Sequence, residues 1–234
     1  MLPSLELPKY DVTLPVSNKK FKFRPFTVKE EKNLLIAMQD DNPDLTMSMI
    51  EETVKACTFN TIESFAGYAQ LDMEYLFLQI RNKSMGEGVE VNATCTECGK
   101  KTVISIDLSK VGMEKKQEKV NPEVQLDEKL WLVMHYPSLH DTYRLNPESK
   151  DEEVLQVIAN CVEQIVMGEQ SYNTMDNTKE ELVDWLSKLS SKQFNKIIEY
   201  FESAPKLVYE TDYSCVHCKE KNHIRLEGLQ DFFA

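Results

Sequence analysis

Cys95-Thr-Glu-Cys98 and Cys215-Val-His-Cys218 hold four of the chain's six cysteines, in two pairs with two residues between partners. A tight turn of this length aims both sulfurs at one ion about 2.3 Å away, and two such turns complete a tetrahedral four-thiolate shell around Zn2+. Neither pair closes the shell alone. Cys95, Cys98, Cys215 and Cys218 are therefore expected to form one split zinc site. Four protein ligands leave no position for a substrate, so the expected role of the Zn2+ is structural.

The segments that must position these turns resemble each other. Aligned on the second cysteine, one continues as Thr102-Val-Ile-Ser-Ile-Asp-Leu108 and the other as Asn222-His-Ile-Arg-Leu-Glu-Gly228. Ile104 and Ile106 in the first, and Ile224 and Leu226 in the second, alternate with polar neighbours. That period predicts that each cysteine turn joins two short strands. Gly99 follows Cys98 and takes positive φ without steric cost, whereas Lys219 is a poorer fit at the same place.

Other chemistries are open to the same cysteines. A redox Cys-x-x-Cys sits at the start of a helix, whose positive end lowers the thiol pKa; here both pairs lead into strand-like runs. Disulfides need an oxidising compartment, which an opening stretch without a secretory pattern does not predict. His217 and His223 lie close enough in sequence to replace a cysteine ligand, although four thiolates make neither necessary. Cys57 and Cys161 sit in apolar helical patterns and read as small buried hydrophobes.

The chain of 234 residues is 41% apolar, enough for a real core in one large domain or two small ones. A formal charge of −12 argues against broad nucleic-acid binding, which relies on clustered Lys and Arg. Lys100, Lys101, Lys219, Lys221 and Arg225 still make a local basic set around the two turns. No apolar run reaches the roughly 18 residues of a membrane span, so a soluble chain is expected.

The expected fold class is α+β: an N-terminal hairpin and helices, then a zinc-ribbon-like β unit assembled from the two distant Cys-x-x-Cys segments around a mainly helical insert. Tyr10, Val12 and Leu14 alternate, Ser17-Asn18-Lys19 turns, and Phe21 and Phe23 alternate back. Thr27 with Glu30 forms a capping box that opens a helix through Leu34, Leu35 and Met38. A second helix follows Asp44 on Leu45, Met49, Ile50 and Val54, and Asp72 is expected to cap a third that runs to Met85 with little solvent face. Residues 112–125 read as a charged linker, Leu130 to Tyr136 as a strand, and 151–167 as a helix stopped by Gly168. Capping boxes at Thr178/Glu181 and Ser190/Gln193 open two more helices. The implied organisation is 1–88 N-terminal hairpin and helices, 89–111 first ribbon half, 112–205 insert, and 206–234 second ribbon half.

Enzymatic signatures are missing. The chain carries no Gly-x-Gly-x-x-Gly, no phosphate-binding Gly-Lys-Ser/Thr loop, no His-Glu-x-x-His and no Gly-x-Ser-x-Gly. His135, His140, Asp141 and Tyr143 lie close in sequence and offer acid–base groups, but no nucleophile accompanies them. Phe21, Phe23 and Phe26, with Arg24 among them, form either a hairpin core or a patch for a partner.

Three runs in series carry a resemblance: Phe21-Lys-Phe-Arg-Pro-Phe-Thr-Val-Lys-Glu-Glu-Lys-Asn-Leu-Leu35, then Asp72-Met-Glu-Tyr-Leu-Phe-Leu-Gln-Ile-Arg-Asn-Lys-Ser-Met-Gly-Glu87, then the Cys95 turn. With the closing Cys215 segment, the chain resembles the baseplate hub (tail assembly) protein family of T4-like contractile-tailed phages. The resemblance implies a non-enzymatic protein needed to build the central hub, either a structural subunit or an assembly factor. Its partners would be other baseplate hub proteins, met in the host cytoplasm and, for a retained subunit, in the virion tail. The rival from another class is a zinc-ribbon regulator that binds nucleic acid through the basic set around its turns.

Overall fold

A computed structural model of the chain describes residues 5–40, 42–114, 121–142 and 151–228. The N-terminal part comprises β1 (Tyr10–Thr13), β2 (Lys20–Phe23), α1 (Val28–Met38), α2 (Pro43–Cys57) and α3 (Gln70–Met85). There follow β3 (Gly88–Thr94), β4 (Lys101–Asp107), β5 (Gly112–Glu114), β6 (Glu123–Gln125) and β7 (Leu130–Met134). The chain continues with α4 (Leu139–Thr142), α5 (Asp151–Cys161), β8 (Val162–Met167), β9 (Gln170–Asn173), α6 (Lys179–Ser187) and α7 (Ser191–Glu202), and ends with β10 (Lys206–Ser214) and β11 (Lys221–Glu227). Helices and small antiparallel sheets alternate along the chain, as the α+β class requires. The chain divides into two compact units, one built from 1–64, 71–116 and 205–234 and the other from 65–70 and 117–204.

In the first unit β1 and β2 pair with Tyr10 opposite Phe23 and Val12 opposite Phe21. Phe23 and Phe26 are buried and Phe21 half-buried, so the aromatic set belongs to the core. Arg24 is held by Glu30, with Nη2 to Oε1 at 2.7 Å and Nη1 to Oε2 at 2.9 Å. The same carboxylate accepts the Thr27 N–H at 2.7 Å and so opens α1 as the capping box predicts. Of the apolar residues read as the inward stripe of α1, Leu34 is buried but Leu35 is exposed.

Helix α3 is buried on every side, at Leu71, Met73, Leu76, Phe77, Leu78 and Ile80 among others. Asp72 does not cap it. The helix starts at Gln70, and the fully buried Asp72 carboxylate instead accepts the Val16 and Ser17 N–H groups at 2.7 and 3.0 Å. A charge in the first turn favours the helix dipole, and here it also fastens the β1–β2 turn to α3. Leu71 and Leu78 of α3 share one cluster with Val91, Ile106, Leu108, Leu207, Tyr209 and Leu226. One helix therefore seats β3, β4, β10 and β11, the strands that flank the two cysteine turns.

In the second unit the sheet order is β6-β7-β8-β9, antiparallel throughout. Leu132 and Met134 turn inward from β7, and Tyr200 of α7 stacks on Tyr136 with ring centroids 5.0 Å apart. Both capping boxes, at Thr178/Glu181 and Ser190/Gln193, form as read. Two readings need correction. Residues 112–125 are not simply linker, since β5 and β6 lie within them; 115–120 fall outside the described residues. The helix expected over 151–167 ends at Cys161, and 162–167 form β8, because Val162 and Ile165 find partners in Met134 and Leu132 of β7. Gly168, read as a helix stop, has φ 62° and turns β8 back into β9. The insert thus carries a four-stranded sheet beside its helices.

Candidate metal centre

Each cysteine pair occupies the turn of a hairpin. β3 pairs with β4 from Gly88↔Asp107 to Thr94↔Lys101, and β10 pairs with β11 from Val208↔Glu227 to Ser214↔Lys221. The two hairpins keep one register, each residue of the second lying 120 positions after its counterpart, as Cys218 follows Cys98. Their turns close in the same way. The Cys95 N–H donates to Lys100 O and the Gly99 N–H to Cys95 O, both at 3.0 Å, while the Cys215 N–H donates to Glu220 O and the Lys219 N–H to Cys215 O, both at 2.9 Å. Gly99 has φ 67° and Lys219 φ 65°. The turn geometry, not the residue type, sets this angle, so Lys219 takes the left-handed conformation at a steric cost that Gly99 avoids.

The hairpins bring the four sulfurs of Cys95, Cys98, Cys215 and Cys218 within 4.8 Å of one another. Across the hairpins, Cys95 Sγ lies 3.6 Å from Cys218 Sγ and Cys98 Sγ lies 3.7 Å from Cys215 Sγ. A tetrahedron with metal–sulfur bonds of about 2.3 Å has edges of about 3.8 Å, whereas a disulfide holds its sulfurs about 2.05 Å apart. The cluster therefore has the size of a metal shell. Cys95 and Cys215 are buried, and Cys98 and Cys218 are exposed.

Each turn is electrostatically prepared for a thiolate at its first cysteine. The Cys98 N–H points at Cys95 and holds its pKa below the usual thiol value, outweighing the loss of water. The Cys218 N–H does the same to Cys215 and, with the His217 N–H 3.4 Å from the sulfur, draws its pKa down to about 5. The Glu220 N–H pulls Cys218 down as well. Loss of water and the sulfurs of Cys95, Cys98 and Cys215 outweigh it and push the thiol up to about 12. Four anions this close repel, and a bound dication is what allows all of them to ionise together.

Neither histidine joins the cluster. His217 Nε2 lies 3.3 Å from Lys101 O, and His223 Nδ1 lies 2.9 Å from Asp212 Oδ1. Cys57 and Cys161 are fully buried apart from it. Of the basic set, Lys100, Lys101, Lys219 and Lys221 are exposed, but Arg225 is bound by Glu114, Glu210 and Glu227. Of the His135, His140 and Asp141 set, His135 and Asp141 have other partners among the described residues. His135 Nδ1 meets Tyr136 O at 2.9 Å, and Asp141 accepts Ser138 Oγ at 2.6 Å and Asn160 Nδ2 at 2.8 Å; Tyr143 lies outside the described residues.

Two residues at the site escape the spacing of the cysteines. Asn222 Nδ2 reaches Cys95 Sγ at 3.5 Å, and Thr102 Oγ1 reaches Cys215 Sγ at 3.7 Å. A sign of them was readable. Both are polar at positions that the strand alternation turns inward with Ile104 and Ile106, or with Ile224 and Leu226.

Fold and site together define an α+β protein in which two matched β-hairpins assemble a tetracysteine cluster capable of holding a metal ion. The sequence matches the family described as T4 bacteriophage base plate protein over residues 7–234, and the chain belongs to that family. No curated protein matches it, and no solved structure does. Among the described residues no helix is long and apolar enough to cross a membrane.

Proposed function

We propose that this chain is a non-enzymatic component of the central hub of the phage tail baseplate, as a structural subunit or as a factor that assembles it. Membership of the base plate family over residues 7–234 carries the reading. Its partners are other hub proteins, met in the host cytoplasm during assembly. Cys95, Cys98, Cys215 and Cys218 hold one structural Zn2+, which crosslinks strands that are far apart in sequence and offsets half of the charge of the four thiolates.

The chemistry of the site supports a scaffold role. A shell of four thiolates offers no open position, and the residues around it are spent on closing turns and packing against α3. Mass spectrometry of purified virions beside tail intermediates from infected cells tests the assignment. The chain is expected in hub-containing intermediates, and in virions too if it is a permanent subunit. Absence from both overturns the proposal.

A further inference from the structure

Asn222 and Thr102 occupy equivalent places on the two hairpins, and each reaches across to the other hairpin's first cysteine. The Asn222 amide is oriented by its surroundings. Its Oδ1 accepts both the Thr96 N–H and the Thr96 hydroxyl at 2.9 Å, so Nδ2 is the group directed at Cys95 Sγ, with Glu220 O as its second acceptor at 3.0 Å. Thr102 Oγ1 accepts the Val216 N–H at 3.4 Å, which leaves its single proton for Cys215 Sγ at 3.7 Å. Both side chains are buried, Thr102 at 2% exposure and Asn222 at 6%. A buried donor is costly to leave without an acceptor, and a thiol sulfur is a weak acceptor while an ionised sulfur is a strong one.

Resting on the zinc reading above, we propose that Asn222 and Thr102 are positioning residues that hold Cys95 and Cys215 as ligating thiolates and thereby set how tightly the site retains Zn2+. Asn222 is the stronger of the two, because its contact is shorter and its orientation is fixed by three further hydrogen bonds. Loss of a hydrogen bond to a metal ligand typically weakens binding about 10–100-fold.

The test uses the full chain, with Zn2+ affinity measured by competition against a chromophoric chelator and the sulfur-to-metal absorption band recorded for the Co2+ form. Asn222→Leu is expected to weaken Zn2+ binding about 10–100-fold. Asn222→Asp keeps the shape and the acceptor for Thr96 but presents an oxygen to Cys95, so it should weaken binding at least as much and shift the Co2+ band. Thr102→Val should weaken binding less, and Thr102→Ser should restore it. If the wild-type chain binds Zn2+ and Asn222→Asp binds within twofold of it with an unchanged band, the positioning role is overturned. Should both Asn222 variants fail to fold, equal affinities for Thr102→Val and Thr102→Ser overturn it instead. A wild-type chain that binds no Zn2+ refutes the zinc reading itself.

Discussion

Removal of the metal should divide the six cysteines into four that become reactive and two that stay silent. Burial pushes the Cys57 thiol up to about 12, with Glu30 raising it further and Arg24 partly offsetting the rise. At pH 8 that leaves about one thiolate in 10,000, against about one in four for an ordinary cysteine, so alkylation should slow about 2,000-fold before any steric block. Cys161 is pushed higher still, again chiefly by burial and then by Asp141. Cys95 and Cys215 have no such protection, since backbone N–H groups in their turns lower both pKa values, and Cys98 and Cys218 are exposed; the neighbouring sulfurs that help push Cys218 up stop doing so once they are alkylated. Timed alkylation followed by mass spectrometry of the intact chain measures this. The expected counts are none reacting quickly with metal bound, four after chelation in native buffer, and six in denaturant. Rapid labelling of Cys57 or Cys161 after chelation would refute the argument that the core, and not the metal, seals them.

Three further outcomes follow from contacts around α3 and α1. Asp72→Ala removes the buried acceptor of two backbone N–H groups and should cost about 2–4 kcal/mol in urea denaturation; a loss below about 0.5 kcal/mol contradicts its role in fastening the β1–β2 turn. Gly228→Ala should destabilise by about 1–2 kcal/mol, because Gly228 has φ 70° and an added Cβ would lie 3.2 Å from Glu74 Oε1; unchanged thermal unfolding would count against it. The Arg24 hydrogen bond, helped by Thr27, holds the Glu30 pKa below its ordinary 4.5. A depressed carboxylate contributes stability fully above its unfolded value and loses it as pH falls through the folded value. Glu30→Gln should therefore cost about 1–2 kcal/mol at pH 7, and the gap to wild type should narrow as pH falls below the ordinary value of 4.5 toward the depressed folded one. A gap that stays constant to pH 3 would refute the ion pair as its source.

Where local chemistry decides the structure, the sequence is a good guide. Thr27/Glu30, Thr178/Glu181 and Ser190/Gln193 open helices because each pair satisfies its own exposed donors without help from distant residues. The alternation at Ile104 and Ile106, and at Ile224 and Leu226, likewise finds both cysteine hairpins. Where tertiary pairing decides, the guide fails. Val154 to Ile165 keeps a helical period across the point where α5 becomes β8, and only the presence of β7 selects a strand from Val162 onward. Asp72 looks like an N-cap by type and place, yet its partners are Val16 and Ser17, more than fifty residues away. The identity of the four clustered cysteines was legible from spacing. The reach of Asn222 and Thr102 across the cluster was not, since it depends on how two distant hairpins face each other.

Native mass spectrometry of the intact chain, purified under reducing conditions in zinc-containing medium, tests the central claim most directly. One Zn2+ per chain is predicted, lost when Cys95 and Cys215 are both replaced by serine and retained when Cys57 and Cys161 are replaced instead. A chain that carries no metal, or a Cys95→Ser/Cys215→Ser variant that keeps it with unchanged thermal unfolding, would contradict the account.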